Sequence, residues 1–178
     1  EMHVERSIYL DEKDAIKATE IIADIVAEEK YNCLTFNIGE DHVHILLVCE
    51  EDELTNIVRK LKGKSAQKFK EHLGLAKDET FNLWAQKFDR KPIESEEQMA
   101  NTIEYIVNNR KKHHAARNQQ GVATPCLEAE EEFQKQLQPL VQRMTCTREQ
   151  AFRTEYKGGF DVVIGNPPYV RAELLGDF

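Results

Sequence analysis

Two alternating runs, YNCLTFNI at 31–38 and HVHILLVC at 42–49, are separated only by Gly39, Glu40 and Asp41. A period of two marks a strand with distinct faces, and so short a glycine-containing join turns the second run back along the first. A fold of this chain must therefore contain an antiparallel hairpin, and its flanks must supply the elements that cover it. Upstream, HVERSIYL at 3–10 also alternates and carries β-branched and aromatic residues, so it reads as a first strand. Between that strand and the hairpin, KDAIKATEIIADIVAEEK sets Ala15, Ala18, Ile22, Ile25 and Val26 near helical spacing, with charge on the other face.

Downstream of the hairpin, Leu54, Ile57, Val58, Leu61 and Phe69 form the stripe of a second helix, with Asp52 as its cap and Gly74 as its stop. LWAQKFDRKPI at 83–93 reads as a fourth strand, demoted to an edge at Pro92. Ser95 and Gln98 fit a capping box that opens a helix through NTIEYIVNNRKKHH. The order β-α-β-β-α-β followed by a helix predicts an α+β class. Its expected form is a ferredoxin-like antiparallel sheet, covered by helices on one face, with an additional C-terminal helix that bears Tyr105.

QQGVATPC at 119–126 has no periodicity and reads as a linker. Residues 1–118 are thus expected to form one domain, and 127–178 a helix (Phe133, Leu137, Leu140, Val141, Met144) plus part of another domain. No apolar run approaches the ~20 residues of a membrane span, and no secretory signal pattern opens the chain, so a cytoplasmic location with no membrane partner is expected. Four cysteines without a C-x-x-C pair argue against a structural zinc cluster or a disulfide scaffold.

A net charge of −8 argues against a non-specific nucleic-acid coat protein. The charge is nevertheless segregated. RKLKGKSAQKFK at 59–70 holds six cations and no acid, with Lys60, Lys64 and Lys68 in one helical stripe beside Arg59; Arg110, Lys111 and Lys112 form a second basic run. Both suit the tracking of a phosphate backbone.

His42 and His44 are i and i+2 on a strand, so both imidazoles project to one face while Val43 takes the other. Two imidazoles side by side can hold a divalent ion. Tyr105 and Asn109, at i and i+4, share one face of the last helix, with Ile103, Ile106 and Val107 as candidates for its buried side.

Asp41-His42-Val43-His44-Ile45-Leu46-Leu47, the aromatic Leu83-Trp84 with Phe88, and Asn101 to Asn109 around Tyr105 occur in an order and spacing that resemble the HUH (His-hydrophobic-His) single-tyrosine transposases of insertion-sequence and REP-associated elements. The resemblance covers roughly residues 3–114 and implies a metal-dependent single-stranded DNA endonuclease and strand transferase. It makes Tyr105 the nucleophile, leaving a 5′-phosphotyrosine and a free 3′-hydroxyl at a hairpin-containing site. It assigns the metal to His42, His44 and Asn109, with Mg²⁺ or Mn²⁺ as the working ion, and it implies a homodimer in which one subunit's tyrosine helix can serve the other. Members of the family are often basic, and this chain is acidic. The alternative is a domesticated, non-catalytic module that binds a DNA hairpin within a restriction-modification protein.

The tail GFDVVIGNPPYVR resembles the catalytic segment of adenine-specific restriction-modification methyltransferases, which would give Asn166, Pro167, Pro168 and Tyr169 contacts to a flipped adenine. A glycine-rich turn for S-adenosylmethionine is missing from residues 115–158, so no use of that cofactor by this chain alone is expected, and the tail reads as an inactive remnant or junction.

Overall fold

The computed structural model describes residues 10–39, 42–84, 88–119, 126–152 and 160–165, with the side chains of 113–119 and 160–165 excepted. The expected first strand at 3–10 lies outside these residues except for Leu10, which is buried in the core. Residues 120–125 of the linker expected at 119–126, and the segment Asn166, Pro167, Pro168 and Tyr169, also lie outside them, while Gln119 is the last residue of a helix.

Helix α1 spans Glu12–Glu29. The Asp11 carboxylate accepts from the Asp14 amide at 2.8 Å at its start, and Lys30 closes its end in the left-handed region. Strands β1 (Asn32–Ile38) and β2 (Val43–Cys49) form the antiparallel hairpin that the alternation requires, with Phe36 opposite Ile45 and Asn37 opposite His44. Helix α2 spans Glu51–His72 and begins ahead of the expected Asp52 cap: Glu50 holds the cap position without a side-chain bond, and Glu51, Asp52 and Glu53 fill the first turn, where acids oppose the helix dipole. Gly74 follows the helix at φ 68°, a conformation that favours glycine.

Among the described residues of the expected fourth strand, Asp89–Ile93 is strand, here β3. Helix α3 spans Glu96–Gln119 and carries Tyr105. The Ser95 hydroxyl accepts from the Gln98 amide at 3.1 Å, while the Gln98 side chain reaches back to the Glu94 amide. Helices α4 (Leu127–Met144) and α5 (Arg148–Ala151) follow, then β4 (Phe160–Gly165). The capping box at Thr147 and Gln150 that opens α5 has a sequence signature overlooked above.

These elements make an α+β chain with a sheet in the order β1-β2-β4-β3, every neighbouring pair antiparallel. β3 lies at an edge, as Pro92 requires. The sheet is covered on both faces rather than one. Phe36, Ile38, Ile45 and Leu47 pack with α1 and α2 in the main core, whereas Leu46 on the alternate face packs with Ile93, Met99 and Ile106 under α3.

Residues from 127 onward had been expected to stand apart. Instead, α4 packs on α1 and buries Phe133, Leu137 and Met144 in the main core, a gain of about 1.5–3 kcal/mol for each large side chain. Arg143 adds a 2.8 Å bond to Asp24 of α1. The sheet likewise takes β4 from this region, seated between β2 and β3.

Candidate active site

His42 and His44 stand at the start of β2 on the face that α3 covers. Their ring centroids are 5.0 Å apart in an edge-to-face arrangement, while Val43 joins the opposite core. Gly39 makes room for this: a Cβ there would lie 2.6 Å from Cε1 of His42, and the Gly39 amide donates to the His42 carbonyl at 2.7 Å. Sequence reading valued Gly39 as a turn former and missed that it faces the imidazole.

Helix α3 brings in the other two residues. Ile106 is fully buried and anchors the helix on the sheet, whereas Val107, a candidate for the buried side, is 56% exposed. The 3.6-residue turn swings it away from the Ile103 and Ile106 face. This rotation points Asn109 inward, where it is 1% exposed and its Oδ1 lies 2.7 Å from Nε2 of His42. A carbonyl oxygen can only accept, so His42 carries its proton on Nε2 in this arrangement. Tyr105 lies one turn earlier, 45% exposed, with its ring edge-to-face with His44 at 5.6 Å. The Lys112 ammonium sits 5.2 Å from the centre of the Tyr105 ring. An exposed phenol, two imidazoles, a buried amide oxygen and an ammonium thus converge on one side of the sheet.

The donors fit a divalent cation. Asn109 Oδ1 faces His42 Nε2 and the ring of His44 lies edge-on to that of His42; once Nε2 gives up its proton, nitrogen with neutral oxygen ligation suits a borderline to hard ion. Among the described residues, no group of three His, Cys, Asp or Glu side chains offers a competing site.

A match to the family model for IS200-like transposases covers residues 2–109, more than half of the chain and every residue of this cluster except Lys112. The chain belongs to the IS200-like transposase family. Membership of that family implies transposase-type cleavage of DNA, and with it DNA transposition and recombination. No curated protein and no solved structure gives a significant match to this IS200-like chain. Among its described residues, no helix is long and apolar enough to cross a membrane.

The basic residues of this IS200-like transposase divide into two groups. Lys111 and Lys112 are exposed on α3, and Lys112 adjoins Tyr105. Arg110 is not available to DNA: it is 5% exposed, its Nε bonds both Glu130 carboxylate oxygens at 3.1 and 3.0 Å, and its guanidinium lies 3.9 Å over the Phe133 ring. The reason is α4, whose Glu130 and Phe133 sequence reading had assigned to a separate segment. The stripe on α2 is also compensated. Lys60 and Lys64 both bond Glu29, and Lys68 bonds Glu28 at 3.0 Å. The bond from Lys64 holds the Glu29 carboxyl below the usual carboxylate range and raises the Lys64 ammonium in return. Arg59 is exposed and bonds Asn56 at 2.7 Å. All four belong to the helix layer across the sheet from Tyr105. Trp84 also lies in that layer, donating to the Ser65 hydroxyl at 2.8 Å, so this aromatic of the family pattern braces the core.

Proposed function

We propose that the chain is a metal-dependent single-stranded DNA endonuclease and strand transferase with Tyr105 as its nucleophile. The single observation that carries this reading is the placement of an exposed phenol against His44, whose neighbour His42 is joined to Asn109 at the next turn of the tyrosine's own helix. In this reading the Tyr105 oxygen attacks the phosphorus of a phosphodiester, a phosphotyrosine bond forms, and the bond from phosphorus to the 3′-oxygen breaks. The phenolic proton lost balances the proton gained by the 3′-hydroxyl. Because one phosphodiester replaces another, rejoining needs no nucleotide triphosphate.

A free phenol is largely protonated at neutral pH, with a pKa of about 10, and needs its charge supported as it attacks. Lys112 supplies a cation beside the ring, and with Lys111 it can hold the strand being cut. His42, His44 and Asn109 would hold Mg²⁺ or Mn²⁺, which when bound would polarise the scissile phosphate. His44 also walls one edge of the phenol, which limits where its oxygen can travel. A purely DNA-binding module would need none of these four groups together.

The finer features of the reading are a ferredoxin-like sheet with the tyrosine helix as its addition, a hairpin-containing single-stranded substrate, and a homodimer. Asn166 to Tyr169 belong to an inert methyltransferase-like tail without use for S-adenosylmethionine. The deciding experiment incubates single-stranded hairpin DNA libraries with the protein and Mn²⁺, then resolves covalent adducts on denaturing gels. Wild type forms an adduct and Tyr105→Phe forms none while keeping its fold and DNA affinity. An adduct that persists in Tyr105→Phe would defeat the assignment.

A further inference from the structure

Asn37 is the odd residue of β1. Asparagine is depleted from strands, and here it sits between the buried Phe36 and Ile38. It is 7% exposed and stands directly opposite His44, so it faces the same side as the histidine pair. Its amide nitrogen donates to the Val107 carbonyl at 3.2 Å, across 70 positions of chain. Val107 lies midway between Tyr105 and Asn109 on α3. The other half of the amide is unsatisfied: Oδ1 is buried with no hydrogen-bond partner among the described residues.

A core position gains nothing from a buried acceptor left empty, and valine would fill such a strand site without that cost. The amide is therefore retained for its donor half. Val107 is exposed and adds little packing of its own, so at this turn the roll of α3 rests on its neighbours Ile106 and Asn109 and on what holds the backbone between them. A bond to the backbone at Val107 fixes that roll from the strand that neighbours the histidines.

We infer that Asn37 is a positioning residue that clamps the tyrosine helix to the histidine hairpin through the Val107 carbonyl, so that Tyr105 and Asn109 reach their places together. The inference rests on the function proposed for Tyr105. Because Val107 O also serves the helix's own ladder, removal of the Asn37 donor does not orphan it.

The test uses the full chain carrying Asn37→Val or Asn37→Thr, with three readouts. Thermal unfolding shows a midpoint equal to or above that of wild type. Single-turnover adduct formation on hairpin DNA with Mn²⁺ slows roughly ten- to a hundredfold, the penalty of a misplaced reacting group, while the dissociation constant for that DNA stays within about twofold. Amide exchange in residues 103–111 quickens with the rest of the chain unchanged. A midpoint lowered by more than about 5 °C in both variants would make Asn37 an ordinary core residue and overturn the inference. Exchange in α3 at the wild-type rate, or an undiminished adduct rate, would overturn it too. Should wild type itself form no adduct, the function assigned to Tyr105 fails, and the exchange measurement still decides whether Asn37 clamps α3.

Discussion

The side-chain oxygen of Asn109 lies 2.7 Å from Nε2 of His42, a bond that spans 67 positions of chain and joins the tyrosine helix to the histidine strand. Both groups are buried, so each is the other's substitute for water. Asn109→Ala is expected to lower stability in the metal-free protein by about 1–3 kcal/mol, the cost of stranding a buried donor. Urea unfolding measures it. Calorimetric titration with Mn²⁺ is expected to show weaker binding by the same variant, because the proposed metal site loses a ligand as well as a brace.

Intrachain bonds from α3 to β1 and β2 place Tyr105 beside the histidines of its own chain. An equimolar mixture of Tyr105→Phe and His42→Ala proteins is therefore expected to remain inactive in the adduct assay. Recovery of about a quarter to half of the wild-type yield would show instead that the tyrosine helix passes between subunits, since mixed dimers then rebuild one intact site.

Arg110 and Lys112 are two residues apart and differ in what they hold. Arg110→Ala strips Glu130 of its guanidinium in a largely buried setting and uncovers Phe133, for an expected loss of about 3 kcal/mol or more in urea unfolding. Lys112→Ala is expected to stay within about 0.5 kcal/mol of wild type. Its effect falls on the adduct rate, which drops while Arg110→Lys, if folded, retains it.

On α2 the masking of the lysine stripe by Glu28 and Glu29 can be undone. Replacing both with glutamine frees Lys60, Lys64 and Lys68, and non-specific single-stranded DNA affinity is expected to rise, with a salt slope steeper by ~0.7 for each phosphate newly contacted. The same logic gives a pH dependence. Glu29 is depressed in the folded chain, so the stabilisation from its ion pairs is complete above the ordinary carboxylate pKa and fades as pH falls through the depressed value. Fluorescence anisotropy with a labelled oligonucleotide checks the first statement, and thermal unfolding from neutral pH down to about pH 3 checks the second.

The hairpin and the first two helices were legible in the sequence because each depends on local periodicity; spacing likewise paired His42 with His44 and Tyr105 with Asn109, but only the family resemblance joined the two pairs. Arg110 was misread because its partner Glu130 is 20 positions away, beyond a linker, and nothing in a run of cations distinguishes a buried member from its solvated neighbours. The acids that quench the α2 stripe sit on another helix for the same reason. Asn37 left a local signal, an amide between two apolar residues of a strand, but its meaning came only from the turn of α3 above it. Coverage of both sheet faces likewise follows from which way α3 folds back, which its periodicity does not specify.

The seat of β4 bears on the order in which the molecule assembles. The β1-β2 hairpin closes over neighbouring residues, so the two imidazoles can take their relative positions early and cheaply in loop entropy. β3 has no strand beside it among the described residues except β4, and β4 pairs with β2 across most of the chain's length. Contacts of such high sequence separation form slowly. Refolding is thus expected to show two phases, a fast one reporting the hairpin with α1 and α2, and a slow one in which β4 threads the seam and β3 acquires its ladder. A protein emerging from the ribosome would carry its histidine pair ready-made while the edge that flanks it still waits for the last strand.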